Sequence, residues 1–124
     1  MNQDTICAIA TAQGGAIGSI RVSGPDAITI TERIFTPVKV GKQLSDKKPY
    51  TLTFGHIHNE KEIVDEVLVS LFRAPHSYTG EDVVEFQTHG NPVIQNLLIR
   101  SALLIGAEAG LRLAEPGEFT RRAF

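Results

Sequence analysis

The sequence predicts an α+β domain, with a mixed, largely antiparallel sheet and its helices packed on one face. Five short runs of the 124-residue chain are β-branched and apolar or alternate between apolar and polar residues. Only two segments combine helical apolar spacing with a capping residue and a proline at the start. Several runs are separated only by turn-forming residues, which favours antiparallel neighbours because parallel neighbours need a long crossover. The predicted order of elements is β-β-α-β-β-β-α.

Two strands are predicted at the start of the chain. Residues 5–11 (TICAIAT) are β-branched and apolar, and residues 16–24 (AIGSIRVSG) alternate in character. The flexible residues 12–15 (AQGG) form the turn between them. The alternation places Ser19 and Arg21 on one face of the second strand, opposite its face of Gly18, Ile20 and Val22.

A first helix follows directly. Ser23 or Gly24 is its expected cap, Pro25 lies in its first turn, and it extends to about Phe35. Its predicted buried side chains are Ala27, Ile28, Thr31, Ile34 and Phe35. The polar, basic residues 36–49 are bracketed by prolines and indicate a surface connection.

Three further strands are predicted in the middle of the chain. Residues 50–58 and 66–72 are rich in strand formers, and the polar stretch between them favours a hairpin. Residues 83–89 (VVEFQTH) follow a turn and form the next strand. A short strand is possible at residues 111–114.

The second helix carries clear start and stop signals. Asn91 is the expected cap, Pro92 the first residue, and Gly106 the end. Its predicted buried stripe is Val93, Ile94, Leu97, Leu98, Leu103 and Ile105. Residues 115–124 (EPGEFTRRAF) have the composition of a third helix start, from which we expect an N-terminal domain excised from a longer protein.

Composition and charge narrow the class of function. A formal net charge of −2 argues against a domain that binds nucleic acid alone, since such domains have a basic face. Cys7 is the only cysteine, which excludes an intramolecular disulfide and a cysteine-based zinc site and fits a reducing compartment. Residues 1–15 contain an early acid and no basic n-region, and no run is long enough to span a bilayer, so we expect a cytoplasmic protein without a signal peptide or a membrane segment.

Glu85 is a charged residue in the middle of a predicted strand. Side chains of a strand alternate between its two faces, and this alternation places Glu85 in a polar row. The row consists of Val83, Glu85, Gln87 and His89, and the opposite face consists of Val84, Phe86 and Thr88. One interpretation is that this row faces water. The other is that Glu85 accepts two parallel N–H groups from a flat heterocycle, a charge-assisted interaction of about 1.5–3 kcal/mol.

Arg21 is the second candidate for a binding role. Its small neighbours Gly18, Ser19 and Ser23 leave room for a ligand, and its guanidinium suits a carboxylate or a carbonyl. The alternative interpretation is an ordinary surface arginine.

Other polar motifs give weaker signals. Residues 80–82 (GED) are interpreted as a turn with an acid, and His89 as a hydrogen-bonding residue. His56 and His58 share a strand face but have no evident third metal ligand, so no metal site is predicted. The chain has no phosphate-binding G-x-x-x-x-G-K-[ST] loop, and we assign no catalytic residue.

Five segments of the sequence together resemble one family over essentially the whole chain. They are DTICAIAT, GAIGSIRVSGPDA, FGHI, DEVLVSLFRAPHSYTGEDVVEFQTHGNPV and GLRLAEPGEFTRRAF. In this order they are similar to the N-terminal domain of the TrmE family of tRNA modification GTPases. The resemblance implies a fold similar to the tetrahydrofolate-binding domain of aminomethyltransferase. It also implies that residues 1–124 bind 5-formyl- or methylene-tetrahydrofolate and form a homodimer.

The resemblance assigns roles to two residues. The family's folate contacts fall on Arg21 and Glu85, with Glu85 accepting from the amino group and the adjacent ring N–H of the pterin. Whether Arg21 meets the ring or the glutamyl tail stays open. The segment THGNP departs from the commoner Cys-His-Gly-Gly-Pro, so no thiol stands beside His89.

The resemblance further implies a larger protein. Its helical domain and its GTPase domain, which uses GTP, Mg and K, lie outside this chain. With the FAD-containing MnmG protein it adds an aminomethyl-type group to the wobble uridine of tRNA, using a one-carbon unit from folate. The alternative is a purely structural dimerisation module without folate binding.

Overall fold

The structure is a computed structural model, and it describes residues 4–10, 17–38, 43, 48, 51–58, 63–89 and 91–124. Within these residues one seven-stranded sheet is present. Its strands are β1 (Ile6–Ile9), β2 (Ile17–Ser23), β3 (Phe35–Pro37), β4 (Leu52–His58), β5 (Ile63–Phe72), β6 (Val83–His89) and β7 (Arg112–Leu113). The helices are α1 (Ala27–Glu32), α2 (Pro92–Gly106) and α3 (Glu118–Ala123).

The sheet is mixed and mostly antiparallel. The strand order is β3-β4-β5-β6-β2-β1-β7. Each neighbouring pair is antiparallel except β1 and β7, which are parallel. The predicted α+β class and the mixed sheet are therefore confirmed.

The hydrophobic core lies between one sheet face and the helices α1 and α2. Phe86 and Ile20, directly opposite each other on β6 and β2, are completely buried. Phe35 meets Phe86 edge-on, with ring centroids 6.5 Å apart. Helix α2 contacts β1, β2, β5 and β6, and α1 contacts β6 and α2. The residues at odd positions of β6 therefore face away from the core.

The prediction that the first helix extends to Phe35 was wrong. Helix α1 ends at Glu32, and Phe35 begins β3, opposite Ile57 of β4. The Thr31 hydroxyl donates back to the carbonyls of Ala27 and Ile28, a contact that competes with regular helix geometry. The residue before Pro37 also favours an extended conformation.

The side chains expected to be buried around α1 are buried nonetheless: Ala27, Ile28, Thr31, Ile34 and Phe35. The expected cap differs, because Asp26 occupies the N-cap position and makes no side-chain capping bond. The predicted surface connection at 36–49 begins as strand β3, and most of its remainder lies outside the described residues, as does the turn predicted at 12–15.

The central hairpin is confirmed, with a longer second strand than predicted. Strand β5 begins at Ile63, because Ile63 lies opposite His58 of β4, beyond an irregularity of the ladder between Ile57 and His58. Strand β6 has the predicted bounds. Strand β1 is shorter than predicted.

Helix α2 begins and ends where the sequence predicts. The Asn91 side chain accepts the Val93 N–H at 2.8 Å, and Pro92 is the first helical residue. The predicted stripe was partly wrong, since Leu98 is buried whereas Val93 and Leu97 are 65% and 38% exposed. The buried residues are Gln95, Leu98, Ile99, Ala102 and Gly106. These follow helical spacing around Gln95, which packs against the bare backbone of Gly18.

The last elements confirm two further predictions. A strand forms at Arg112–Leu113 and a helix at Glu118–Ala123. Gly110, with φ of 79°, ends the short 3-10 turn after α2 and redirects the chain into β7. Among the helices described, none is long and apolar enough to cross a membrane.

Candidate functional site

The candidate site lies on the outer sheet face, opposite the core. Register places Arg21 of β2 directly opposite Glu85 of β6, one residue beyond the buried pair Ile20 and Phe86. Successive side chains of a strand point to opposite faces, so Arg21 and Glu85 both point outward. The structure therefore brings together the two residues that the sequence selected.

Arg21, Ser19 and Glu85 form a hydrogen-bonded cluster. Arg21 Nε donates to Glu85 Oε2 at 3.0 Å, and Ser19 Oγ donates to Glu85 Oε1 at 3.0 Å. The Glu85 side chain is 22% exposed, so it is neither in the core nor in open solvent. A carboxylate has about four lone-pair positions. Each oxygen of Glu85 can thus accept a further donor from a ligand.

The Glu85 cavity is a concavity of about 340 Å³ beside this cluster. Its walls are Arg21, Phe72, Tyr78, Thr79, Val83, Glu85 and Phe119. The Arg21 guanidinium carbon lies 5.7 Å from the centroid of the Tyr78 ring, within range of a cation–π contact. Aromatic and apolar walls around a few polar groups are typical of small-molecule sites.

A second concavity, the α3 cavity, adjoins the first and has a volume of about 390 Å³. It lies between the end of β1, where Ala8 and Ala10 line it, and the segment from Ala114 to Thr120. Arg21 and Phe119 line both cavities, so the two side chains stand at their common boundary.

The loop before β6 is held by hydroxyl and carboxylate contacts. Ser23 Oγ lies 2.7 Å from Thr79 Oγ1 and donates to Glu81 Oε1 at 2.9 Å. Asp82 accepts the Ala74 N–H at 2.8 Å, which confirms an acid in the predicted turn. Ser19 and Ser23 were expected to leave space around Arg21; instead, their hydroxyls make hydrogen bonds that position Glu85 and this loop.

Helix α3 is fixed by an ionic network, which we call the Arg122 network: Asp4, Glu81, Arg112, Glu118 and Arg122. Arg112 binds the Glu118 carboxylate with two donors, at 2.8 and 2.6 Å. This contact, aided by the Glu115 N–H and by Arg122, lowers the pKa of Glu118 to about 2. The same guanidinium of Arg112 also lowers the pKa of Asp4.

The histidine pair of β4 makes separate contacts. His56 Nε2 lies 3.6 Å from Glu66 Oε1, and His58 Nε2 lies 2.8 Å from Thr36 Oγ1. In the part of the chain that the structure describes, no group of three or more His, Cys, Asp and Glu residues could hold a metal ion.

His89 and Cys7 are two further groups that could carry chemistry. His89 Nδ1 lies 2.7 Å from Asp65 Oδ1, and the His89 N–H donates to Asp65 Oδ2, which confirms its predicted hydrogen-bonding role. Burial raises the pKa of the Cys7 thiol to about 11, so the thiol stays protonated in the core.

Sequence reasoning missed several residues of the site. Tyr78 and Thr79 adjoin the predicted GED turn, and a turn before a candidate strand is a signal that could have indicated them. Phe119 had no such signal, because its place depends on how α3 returns to the outer sheet face. Phe72 lies at the end of β5, where register with Val83 brings it to the cavity.

These features define an α+β domain with two adjoining cavities of small-molecule size on the outer face of its sheet. The chain matches the family model of the GTP-binding protein TrmE N-terminus over residues 5–124. It belongs to the TrmE N-terminal domain family.

Curated relatives agree with this placement. The chain is 69% identical over 124 residues to the tRNA modification GTPase MnmE of Bacteroides fragilis (strain ATCC 25285), covering 100% of this chain and 26% of the relative. Identity to the protein of the same name from Bacteroides thetaiotaomicron is 68%, with the same coverage. For Francisella tularensis subsp. novicida it is 54%, covering 98% of this chain and 25% of the relative. The chain thus spans about a quarter of the length of these relatives.

Proposed function

We propose that residues 1–124 are the folate-binding and homodimerisation domain of a tRNA modification GTPase. The ligand is a one-carbon tetrahydrofolate, in its 5-formyl or methylene form, held in the Glu85 cavity. The observation that carries the proposal is the half-buried Glu85 carboxylate, fixed by Arg21 and Ser19 at the wall of that cavity.

The chemistry of the pterin ring suits this carboxylate. The ring presents an amino group and a neighbouring N–H side by side, and a carboxylate accepts both in a fork. Such charge-assisted hydrogen bonds contribute about 1.5–3 kcal/mol each. Tyr78, Phe72 and Phe119 offer ring surfaces to the flat heterocycle.

The α3 cavity provides space for the rest of the ligand. A folate continues from the pterin into an aromatic linker and a glutamyl tail, and it therefore needs more room than one ring requires. Arg21 lines both cavities, so its guanidinium is placed to meet either the ring or the tail. Glu85, which is hydrogen-bonded to Arg21, remains the acceptor that orients the pterin ring.

The outer face also supports the dimerisation role. Leu52, Phe54 and Leu68 are 65%, 47% and 36% exposed, and register with β6 places them on the same face as Glu85. Exposed apolar side chains that cluster on one face are typical of protein interfaces. A homodimer formed through this face would cover them and adjoin the ligand cavity.

The whole-protein role is inferred from the relatives, which are named tRNA modification GTPases. In that role the protein hydrolyses GTP in a domain outside this chain, with Mg and K as its ions. It acts in the cytoplasm with the FAD-containing MnmG protein on the wobble uridine of tRNA. The domain of residues 1–124 supplies the one-carbon unit from folate for an aminomethyl-type addition.

Isothermal titration with 5-formyltetrahydrofolate tests the ligand assignment. We expect the wild-type chain to bind, and Glu85→Ala and Arg21→Ala to bind at least about tenfold more weakly. The charge-matched controls are Glu108→Ala and Arg100→Ala, at exposed positions outside the cavities, which should bind as wild type does. Equal binding by all variants would overturn the assignment of Glu85 and Arg21.

The alternative function is a dimerisation module without folate binding. Its support is the exposed apolar group on β4 and β5, which requires no ligand. Sedimentation that shows a dimer, combined with no folate uptake at millimolar concentration, would favour this alternative over the proposed one.

A further inference from the structure

We infer that Arg122 is a positioning residue that fixes two walls of the Glu85 cavity relative to each other. One wall is Phe119 on α3, and the other is Thr79 in the loop before β6. Arg122 does not line the cavity itself. The inference rests on the proposed function, because it assigns Arg122 a role in ligand binding at that cavity.

The position of the first wall, Phe119, depends on contacts made by residues that precede and follow it on α3. Arg122 Nη2 donates to Glu118 Oε2 at 3.2 Å, and Arg112 holds the same carboxylate from β7. Helix α3 has six residues, which is too short for stability without tertiary packing. The position of Phe119, between Glu118 and Arg122 in sequence, is therefore set by this network.

Arg122 is connected to the second wall, Thr79, indirectly through Glu81. Arg122 Nη1 donates to both oxygens of Glu81, at 3.1 and 3.3 Å. Glu81 in turn accepts from Ser23 Oγ, which lies 2.7 Å from the Thr79 hydroxyl. Thr79 lines the cavity beside Tyr78. One guanidinium thus connects helix α3 and the loop through short polar contacts.

Burial makes these contacts specific to arginine. The Arg122 side chain is 4% exposed and the side chains of Glu81 and Glu118 are 19% and 9% exposed, so water screens these charges weakly. Arg122 also donates to the Asp4 backbone carbonyl at 2.7 Å and to its carboxylate at 2.9 Å. A planar fork with five donors can serve several acceptors at once, which a lysine ammonium cannot do in the same geometry.

Loss of the guanidinium would leave Glu81 and Glu118 without the cation that joins them. Their repulsion and their renewed need for water would separate the loop from α3. The two walls of the cavity would then no longer be held at one spacing, although the sheet that carries Arg21 and Glu85 would remain.

The neighbouring Arg121 is a matched control. It lies on the same helix and pairs with Glu115, but the two side chains are 61% and 70% exposed. Exposed pairs of this kind contribute little. Arg121→Ala therefore removes the same charge from α3 without breaking the connection between the walls.

The test combines hydrogen exchange with titration of the 124-residue chain. The variants are Arg122→Lys, Arg122→Ala and Arg121→Ala, studied at a temperature where each is shown to be folded by circular dichroism. We expect faster amide exchange in Arg122→Lys and Arg122→Ala at both residues 77–82 and residues 118–123, and unchanged exchange on β6. Affinity for 5-formyltetrahydrofolate should fall about five- to tenfold in Arg122→Lys and less than about twofold in Arg121→Ala.

The outcomes separate this inference from the proposed function. If the wild-type chain binds folate and folded Arg122→Lys binds equally well, the positioning role is wrong and the folate assignment stands. If no variant and no wild-type chain binds folate, the proposed function fails, and with it the ligand role of Arg122. Faster exchange confined to α3, with residues 77–82 unaffected, would contradict the connection between the walls. If Arg122→Ala does not fold, Arg122→Lys decides these outcomes.

Discussion

Arg21 and Glu85 face each other across β2 and β6 and share a hydrogen bond of 3.0 Å at the boundary of two cavities. A charged pair at the rim of a cavity orients a ligand only when its own geometry is fixed. Here the register of two strands fixes the backbone, and the Ser19 hydroxyl fixes the second carboxylate oxygen. The pair is thus part of the rigid sheet and does not depend on a loop.

Arg21→Lys should weaken ligand binding but leave the stability of the fold almost unchanged. A lysine keeps the positive charge but cannot donate in the geometry of the guanidinium. Because the pair is partly exposed, we expect the free energy of unfolding in urea to change by less than about 1 kcal/mol. Affinity for 5-formyltetrahydrofolate should fall by about tenfold in the same variant. An unchanged affinity would show that the Arg21 guanidinium does not contact the ligand.

Acid should weaken the Arg122 network. Folding lowers the pKa of Glu118 from 4.5 to about 2, and lowers that of Asp4 from 3.8. A carboxyl whose pKa is depressed in the folded state stabilises the fold above its unfolded pKa, and this contribution is lost as pH falls through the folded pKa. Urea unfolding should therefore show declining stability from about pH 5 toward pH 2.

Glu118→Gln should flatten that pH dependence, because it removes the group with the large shift. The control is Glu115→Gln, since Glu115 is exposed and its pair with Arg121 lies at the surface. Parallel stability profiles for Glu118→Gln and wild type would show that Glu118 does not carry the acid sensitivity.

Gly18→Ala should destabilise the domain through Gln95. A Cβ on Gly18 would lie 1.7 Å from Gln95 Nε2 and 3.0 Å from Thr88 Oγ1. Gln95 is 1% exposed, so its amide has no open space to enter, and we expect a cost of about 1–3 kcal/mol in denaturant unfolding.

The double variant Gly18→Ala/Gln95→Ala tests this cause. If the clash is the reason, the two substitutions will be non-additive, and the double variant will be less destabilised than the sum of the single ones. Simple additivity would mean that the cost at Gly18 has another origin.

Phe54→Glu should weaken the proposed dimer. The side chain is 47% exposed on the outer face, so the substitution costs little in a monomer but places a charge in an apolar interface. Sedimentation should show a shift toward monomer, whereas Leu104→Glu, at a position 74% exposed on α2, should leave the association unchanged. A dimer that persists in Phe54→Glu would place the interface elsewhere.

The sequence predicted well the elements whose signals are local. Strand β6 alternates over its whole length, and α2 begins at Asn91 and Pro92, where capping is decided within three residues. The end of α1 was not predictable in this way. Phe35 does not continue the helix but pairs with β4, and its ring packs against that of Phe86, which is far away in sequence.

The residues of the candidate site show the same difference between local sequence signals and long-range contacts. Arg21 and Glu85 were found because alternation showed which face they occupy and the family resemblance gave them a role. The Arg122 network joins residues 4, 81 and 122, and no local pattern indicates such a contact. Phe119 lines the cavity from α3, the helix whose Glu118 and Arg122 belong to that network.

A crystal structure of the chain with 5-formyltetrahydrofolate would show directly whether Glu85 binds the pterin ring. We expect the pterin in the Glu85 cavity, with its amino group and adjacent ring N–H each about 2.7–3.2 Å from the Glu85 carboxylate. A folate bound away from Glu85, with the contacts from Arg21 and Ser19 as the only ones to that carboxylate, would contradict it.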